Sequence, residues 1–430
     1  MRILHLVPGS GGTFYCQNCL RDRLLIRALR QAGHDAILVP LYLPMYGTET
    51  IVETEAPLFF GGISTYVREK VPFLRRMPGW LDHLLNLPFL LRQAAAREGS
   101  TDAAALGSMT LSMLEGRHGN QRQEFERFLA WLRTEPAPDV IHISNALLLG
   151  FVPALRDAVA APFVCTLQDE EPWVNAMAPP YDRLCWEAMA RHGRDVSRFI
   201  STSRWYAQRM EARLQLPPDK ITVIYPGIEV PAEYPGLQAA DPPIIGYLSR
   251  LHPAQGFEDV LDAFLDLKQD PGLASLRLRA TGGATPADTP FMSDMEERLD
   301  KAGCQDDTEI DWNFQSAPDE SFFRGLTVMS APARGGEAFG MHIVEAMARG
   351  IPVVQPRVSA YPELLENSAA GLLYEPGAPG GLANALRELL TDPALARRLG
   401  EQGYRHAREH FTVERMAREM STLYEAVAAK

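Results

Sequence analysis

The sequence predicts two α/β domains in tandem, each built on a parallel sheet. Three observations predict it. The 430 residues exceed the roughly 250–300 at which one hydrophobic core stops growing. The chain opens with a short apolar run, a Gly-rich turn, a segment of helical period and a second apolar run, which is how a parallel α/β sheet begins. After a Pro-, Gly- and acid-rich stretch near residue 230, the same alternation starts again.

The elements follow in order. Arg2 to Val7 reads as a buried strand and ends in Pro8-Gly9-Ser10-Gly11-Gly12. Leu20, Leu24, Leu25 and Leu29 then recur at helical spacing, with Gly33 where a helix C-cap belongs. Ala36 to Leu41 is the second strand. Residues 60–135 carry Pro72, Pro78 and Pro88 among amphipathic pieces and read as an insertion of short helices. Residues 139–143, 163–167, 198–202 and 221–225 are further apolar runs of strand length. Residues 231–243 show neither period and read as a linker, which places one domain at 1–230.

The second domain is expected at 244–410. Ile244–Leu248 is a strand, EDVLDAFLDLKQ has apolar i, i+3, i+4 spacing, and LRLRATGG is a strand running into a Gly turn. Thr327–Ala331, Pro352–Val354 and Gly371–Leu373 are short strands, and from about residue 380 the chain reads as helices, the last at 411–430.

Composition narrows the function. A formal net charge of −12 argues against a general nucleic-acid binder, which is usually basic. The first ten residues lack the long apolar stretch and cleavage site of a signal peptide, and no run nears the ~18 apolar residues of a membrane span. A cytoplasmic location is therefore the expectation. Five Cys at scattered spacing do not form a disulfide framework.

The most informative segment runs from Arg334 to Val354, RGGEAFGMHIVEAMARGIPVV. Glu337 lies in a Gly-rich loop, and Glu345 lies in a helix expected to start near Phe339 or Gly340 and to end at Gly350. Backbone N–H groups at Ala338, Phe339 and Gly340 would sit at that helix start, where a diphosphate is favoured. Glu345, about one and a half turns in, could accept both hydroxyls of a ribose. Glu337, ahead of the helix, could face a sugar. Spacing alone leaves open whether the two acids serve a ligand or a solvated helix face.

This segment resembles the signature of the family 4 retaining glycosyltransferases, in which two Glu flank a Phe-Gly helix start followed by Ala-Met, Gly and Pro-Val. The resemblance extends over nearly the whole chain. His142 at a strand end, the turn Pro226-Gly227-Ile228, the run GYLSRLHPAQGFEDVLDAF and the tail Gly371-Leu372-Leu373-Tyr374-Glu375-Pro376 all look like family positions. The resemblance implies the GT-B fold: two facing Rossmann-like domains with a cleft between them and a C-terminal helix crossing back to the first. It implies transfer, with retention, of a sugar from a nucleoside-diphosphate sugar to a glycan, lipid or small-molecule acceptor. The donor is a co-substrate, and no metal or other cofactor is implied.

Residue by residue, Arg250 looks like the donor-phosphate arginine, a planar cation suited to a diphosphate leaving group. Gly11 and Gly12 match the N-terminal glycine loop. Glu345 would bind ribose, Glu337 would sit by the transferred sugar, and His142 would stand on the acceptor side. Two positions depart from the family. Gln255 stands where a Lys precedes the glycine of the loop after Arg250, and Gln168 stands where a His follows a strand near the sugar. Each amide keeps a hydrogen bond but supplies no charge or acid–base chemistry. Asp169-Glu170-Glu171 beside Gln168 could meet an acceptor or a cation, but reads rather as a solvated loop. A protein that binds a sugar nucleotide without turning it over, as a sensor or scaffold, is the alternative. An epimerase or phosphorylase on the same fold is a third reading, though no cofactor-lysine motif of a phosphorylase stands out.

Two further features remain. Cys16-Gln17-Asn18-Cys19 opens the first helix; it reads as small packing residues, with a redox pair or half a metal site as the alternatives. Tyr66 to Trp80 mixes basic and apolar residues and reads as an insertion packed on its own domain. Its alternative is peripheral contact with an anionic membrane at the inner face.

Overall fold

The structure, a computed structural model, describes residues 1–9, 14–42, 103–314 and 320–429. It divides into two compact units. The first gathers residues 1–11, 22–224 and 416–430, and the second gathers residues 12–21 and 225–415. The expected boundary at 230 thus falls at 224/225, and a ten-residue piece near the N-terminus clusters with the second unit.

The first unit holds a parallel sheet of six strands: β1 (Arg2–Val7), β2 (Asp35–Pro40), β3 (Val140–Ile143), β4 (Phe163–Leu167), β5 (Arg198–Ser201) and β6 (Ile221–Val223), in the order β2-β1-β3-β4-β5-β6. Central strands β3 and β4 are buried at every position, as continuous apolar runs covered on both faces must be. The helix Gln17–Gln31 supplies Leu25, Ile26 and Leu29 to the core. Of the expected insertion, the helices Ala103–Leu114 and Arg122–Leu132 are described. The second buries Phe125, Phe128, Leu129 and Leu132, and Phe125 stacks on Phe151 at 4.3 Å. The stretch Tyr66 to Trp80 lies outside the described residues, as do Gly11 and Gly12.

The second unit repeats the plan with β7 (Ile244–Leu248), β8 (Arg277–Thr281), β9 (Thr308–Asp311), β10 (Val328–Met329), β11 (Val353–Pro356) and β12 (Gly371–Tyr374). All pairings are parallel, in the order β12-β11-β10-β7-β8-β9. Strand β9 was not expected from sequence. Its residues TEID alternate between half-buried and exposed at the sheet edge, so it carries no apolar run. The helix Phe257–Leu267 packs Phe257, Val260, Leu261, Phe264 and Leu267 into the core, about 1.5–3 kcal/mol of burial for each large side chain. Helices Gly381–Thr391, Pro393–His410 and Val413–Ala428 complete the chain. Among the described residues no helix is long and apolar enough to cross a membrane.

Candidate active site

Sheet order points to a candidate site in the second unit. From β7 the chain moves outward through β8 and β9, then returns to the other side of β7 as β10. Neighbours β7 and β10 therefore flank a topological switch point, and ligands of open parallel sheets bind beyond the C-terminal strand ends at such points. The loop after β7 carries Ser249, Arg250 and Gln255. The loop after β10 carries Glu337 and leads into the helix Met341–Ala348. Sequence motifs 80–90 residues apart thus leave adjacent strands.

Glycines shape both loops. Gly340, the N-cap of the helix, has φ +109°, and Gly256 has φ +76° with a hypothetical Cβ only 2.1 Å from the Pro332 carbonyl oxygen. At Gly256 no side chain fits without backbone movement, and at Gly340 the positive φ strains any residue that carries a Cβ.

Glu337 is 8% exposed and fully engaged. Its Oε1 accepts from Gln17 Nε2 at 2.6 Å and its Oε2 from the Tyr361 hydroxyl at 3.1 Å. His342 lies behind it, wholly buried, and burial pushes its ring down to about 3, so it is neutral. With Gln355 Nε2 donating to His342 Nε2 at 3.0 Å, the ring proton sits on Nδ1, 3.4 Å from Glu337 Oε2.

Glu345 is 7% exposed, not on a solvated face. Burial raises its carboxyl above the usual range, opposed by the Arg349 guanidinium one turn on, whose Nη1 lies 2.6 Å from Oε2. Arg349 in turn pairs with Glu320 and stacks on Phe323, its guanidinium carbon 3.9 Å from the ring centre. Tyr15 belongs to the same group. It is 5% exposed, its hydroxyl has no hydrogen-bond partner among the described residues, and burial, Glu345 and Glu337 all raise its pKa.

Arg250 is not an idle cation. Its Nη2 reaches Asp288 Oδ2 at 2.9 Å and Thr285 Oγ1 at 2.9 Å. Burial would raise the Asp288 carboxyl, but hydrogen bonds from Thr285 and Arg250 outweigh it and hold the group below its usual range. Gln255 accepts from the Ser249 hydroxyl at 3.1 Å through its side-chain oxygen. The nearby His252 ring is lowered by burial and by Arg250, so it adds no charge near neutral pH to replace the family lysine.

Three expectations need correction. At the start of the helix Met341–Ala348, where Ala338, Phe339 and Gly340 are all buried, the N–H of Met341 is not open to an anion, because it donates to Gln17 Oε1 at 2.6 Å. A side-chain amide satisfies the donor an anion would use. His142, expected on the acceptor side, is wholly buried in the first unit, with Nδ1 2.7 Å from the Tyr424 hydroxyl and Nε2 2.7 Å from Thr166 Oγ1. Both ring nitrogens are engaged within the first unit, away from solvent. The acids at 169–171 are not a solvated loop. Glu170 is wholly buried, accepting from the backbone of Ala146 and Gln168 and from the Tyr206 hydroxyl, while Glu171 is 8% exposed and pairs with Arg209 and Arg213. Asp169 takes φ +52°, the left-handed turn that ends β4. Gln168 is buried beside it, its Nε2 donating to the Ser144 carbonyl at 2.5 Å and its Oε1 without a partner among the described residues.

Sequence reasoning missed Arg349, Asp288, Tyr15, Gln17 and His342. Arg349 had a signal: a Glu followed by Arg at i+4 on a helix. His342 lies within the motif itself, while Asp288, Tyr15 and Gln17 meet the site only through tertiary contacts. A cavity of about 620 Å³ elsewhere in this unit, lined by Asp259, Arg334, Tyr374 and Leu382 among others, holds none of the predicted residues. Among the described residues no three His, Cys, Asp or Glu side chains cluster as metal ligands.

Comparison with known proteins bears on the family and the fold. The profile of the Glycosyl transferases group 1 matches residues 235–406, and that of Glycosyltransferase Family 4 matches residues 60–230. The D-inositol 3-phosphate glycosyltransferase of Corynebacterium efficiens is 28% identical over half of this chain. The lipopolysaccharide core mannosyltransferase LpcC of Rhizobium leguminosarum is 26% identical over 54% of it. The chain covers 53% and 68% of those two proteins, and about half the length of most curated relatives it matches. Among solved structures, sucrose-phosphate synthase of Thermosynechococcus elongatus superposes over the whole of both chains with a TM-score of 0.69 at 20% identity. Anabaena HepE in complex with UDP-glucose covers 99% of this chain and all of its own, with a TM-score of 0.66 at 17% identity. Two Rossmann-like parallel sheets and the two profiles, which together match residues 60–230 and 235–406, make this chain a member of the family 4 glycosyltransferases, of GT-B fold.

Proposed function

We propose that the chain transfers a sugar from a nucleoside-diphosphate sugar, with the donor held at the switch point between β7 and β10. The observation that carries this reading is that the loop after β7, with Arg250, and the loop and helix after β10, with Glu337 and Glu345, leave adjacent strands although they are distant in sequence. A buried carboxylate costs several kcal/mol unless paired or put to use. Glu345 keeps one oxygen on Arg349, which favours the ionised form that would accept ribose hydroxyls.

Arg250 meets the diphosphate, and its pairing with Asp288 holds the fork in place until the donor arrives. Glu337 faces the transferred sugar. The helix start takes part once Gln17 has swung off Met341. Charge on the leaving diphosphate is met by Arg250 and backbone N–H groups, so the reaction runs without metal and, as in the family, with retention. The neutral Gln255 weakens the phosphate grip by about tenfold to a hundredfold relative to a lysine. The acceptor is a glycan, lipid or small molecule. The printed names of relatives, an inositol phosphate glycosyltransferase and a mannosyltransferase, define the first panel.

Titration calorimetry with UDP, GDP and ADP, followed by a nucleotide-release assay on the matching sugar nucleotides, tests the reading. One nucleotide should bind, and Glu345→Gln should weaken it at least tenfold, the loss of a charge-assisted bond. Absence of binding by all three refutes the donor site. Binding with no release under any acceptor favours the sensor, the reading suggested by neutral Gln255 and Gln168.

A further inference from the structure

The first turn of the helix Gln17–Gln31 carries a thiol pair that the transfer reaction does not use. Cys16 is the N-cap, since its carbonyl accepts from Leu20 N at 3.0 Å. Its Sγ stands where a capping oxygen would, accepting from Cys19 N at 3.4 Å, and lies 2.7 Å from Cys19 Sγ. A backbone N–H directed at sulfur at a helix start is the environment that favours a thiolate. Both residues are partly exposed, whereas Cys165, Cys185 and Cys304 are buried, and burial pushes the Cys185 thiol up to about 12. Only Cys16 and Cys19 are therefore placed to react.

Between them stands Gln17. Its amide bridges the second unit's site, donating to Glu337 Oε1 and accepting from Met341 N, each at 2.6 Å. A single residue flanked by the two thiols thus closes the helix start on which an anion would sit.

We propose that Cys16 and Cys19 are a thiol–disulfide site whose closure locks Gln17 over Glu337 and Met341. The Cys16 thiolate attacks a low-molecular-weight disulfide, forms a mixed disulfide and expels one thiolate. The Cys19 sulfur, giving up its proton, then attacks Cys16 and expels the second. Two electrons pass from the cysteine pair to the incoming disulfide, and two thiols leave. The cross-link spans the turn that carries Gln17 and removes the freedom its side chain needs to leave the helix start. Reduction by a dithiol reverses it.

The test needs no sugar nucleotide. The whole chain is treated with oxidised glutathione, then measured by intact mass and by hydrogen exchange of the peptide containing Met341. The expected mass change is loss of two hydrogens with no glutathione retained, abolished in Cys19→Ser, which should instead keep a glutathione adduct on Cys16. Exchange at Met341 should slow several-fold on oxidation, and Gln17→Ala should erase that difference while still forming the disulfide. Two unreacted thiols, or a stable glutathione adduct on the unsubstituted chain, overturn the site. Disulfide formation with unchanged exchange overturns the lock. A failure of the nucleotide titrations would leave these readouts intact, so the two ideas fall separately.

Discussion

Replacing Arg349 by methionine removes the counter-charge of Glu345 while keeping an unbranched chain over Phe323. The side chains of Glu345 and Arg349 are only 9% and 17% exposed, so solvent screens their 2.6 Å contact poorly. Removing one partner of a buried pair costs about 3–5 kcal/mol. The bond to Glu320 adds little, because that carboxylate is 73% exposed and returns to water. A loss near ~3 kcal/mol should lower the melting temperature by roughly 6–12 °C for a unit of this size. The pH dependence fixes the cause. Burial already raises the Glu345 carboxyl, and without Arg349 it rises further. An acid whose folded pKa exceeds its unfolded value destabilises increasingly as pH climbs from the unfolded value, ~4.3, through the folded one. The Arg349→Met deficit should therefore be large at pH 7 and fade below about pH 4. Glu345→Gln combined with Arg349→Met should recover most of the loss at neutral pH, because no charge then stays buried. Thermal melts of the four proteins at pH 4 and pH 7 settle it. Equal deficits at the two pH values, or strictly additive substitutions, would refute the buried-pair argument.

Three other outcomes are expected of single substitutions elsewhere in the molecule. Gly282→Ala places a Cβ 1.9 Å from the Ser249 carbonyl oxygen at φ +134° and should cost about 2–5 kcal/mol, whereas Gly303→Ala, at φ +62° with nothing within 4 Å, should cost about 1; denaturant titration separates them. Glu171→Gln should cost about 0.5–1 kcal/mol at pH 7, since Arg209 and Arg213 are about half exposed. The Arg209 hydrogen bond, joined by Arg213 and opposed by burial, holds the Glu171 carboxyl low, so the contribution is full above the unfolded value of ~4.3 and disappears as pH falls through the folded value. Gln255→Lys should tighten nucleoside-diphosphate binding about tenfold, with the gain shrinking at high salt; calorimetry in two salt concentrations measures it.

The fold was legible wherever an element carried its own apolar run. Strands β4 (FVCTL) and β7 (IIGYL) are wholly buried, carry no charged residue, and fall at the expected residues. Strand β9 was invisible because an edge strand needs only one covered side, and half of TEID faces water. The site was legible as residue types but not as partnerships. Gly340 and Glu345 announce a helix start and an acid one and a half turns later. Nothing local announces that Gln17, more than three hundred residues away, caps that helix, or that Asp288 occupies Arg250. His142 misled for a related reason: a histidine at a strand end looks like a ligand until a distant tyrosine, Tyr424, takes its nitrogen. Polar residues far apart in sequence can satisfy one another, and only tertiary contacts disclose which have done so.

The first unit draws on residues 1–11 and 416–430 as well as on 22–224. During synthesis its sheet can assemble early, but the Tyr424 that receives the His142 ring emerges only after the entire second unit has been translated. Until then a polar imidazole faces an unfilled slot in an otherwise finished core. Nascent chains halted before residue 413 should therefore engage chaperones longer than their length alone would suggest, and trimming the last helix should harm the half of the molecule encoded first.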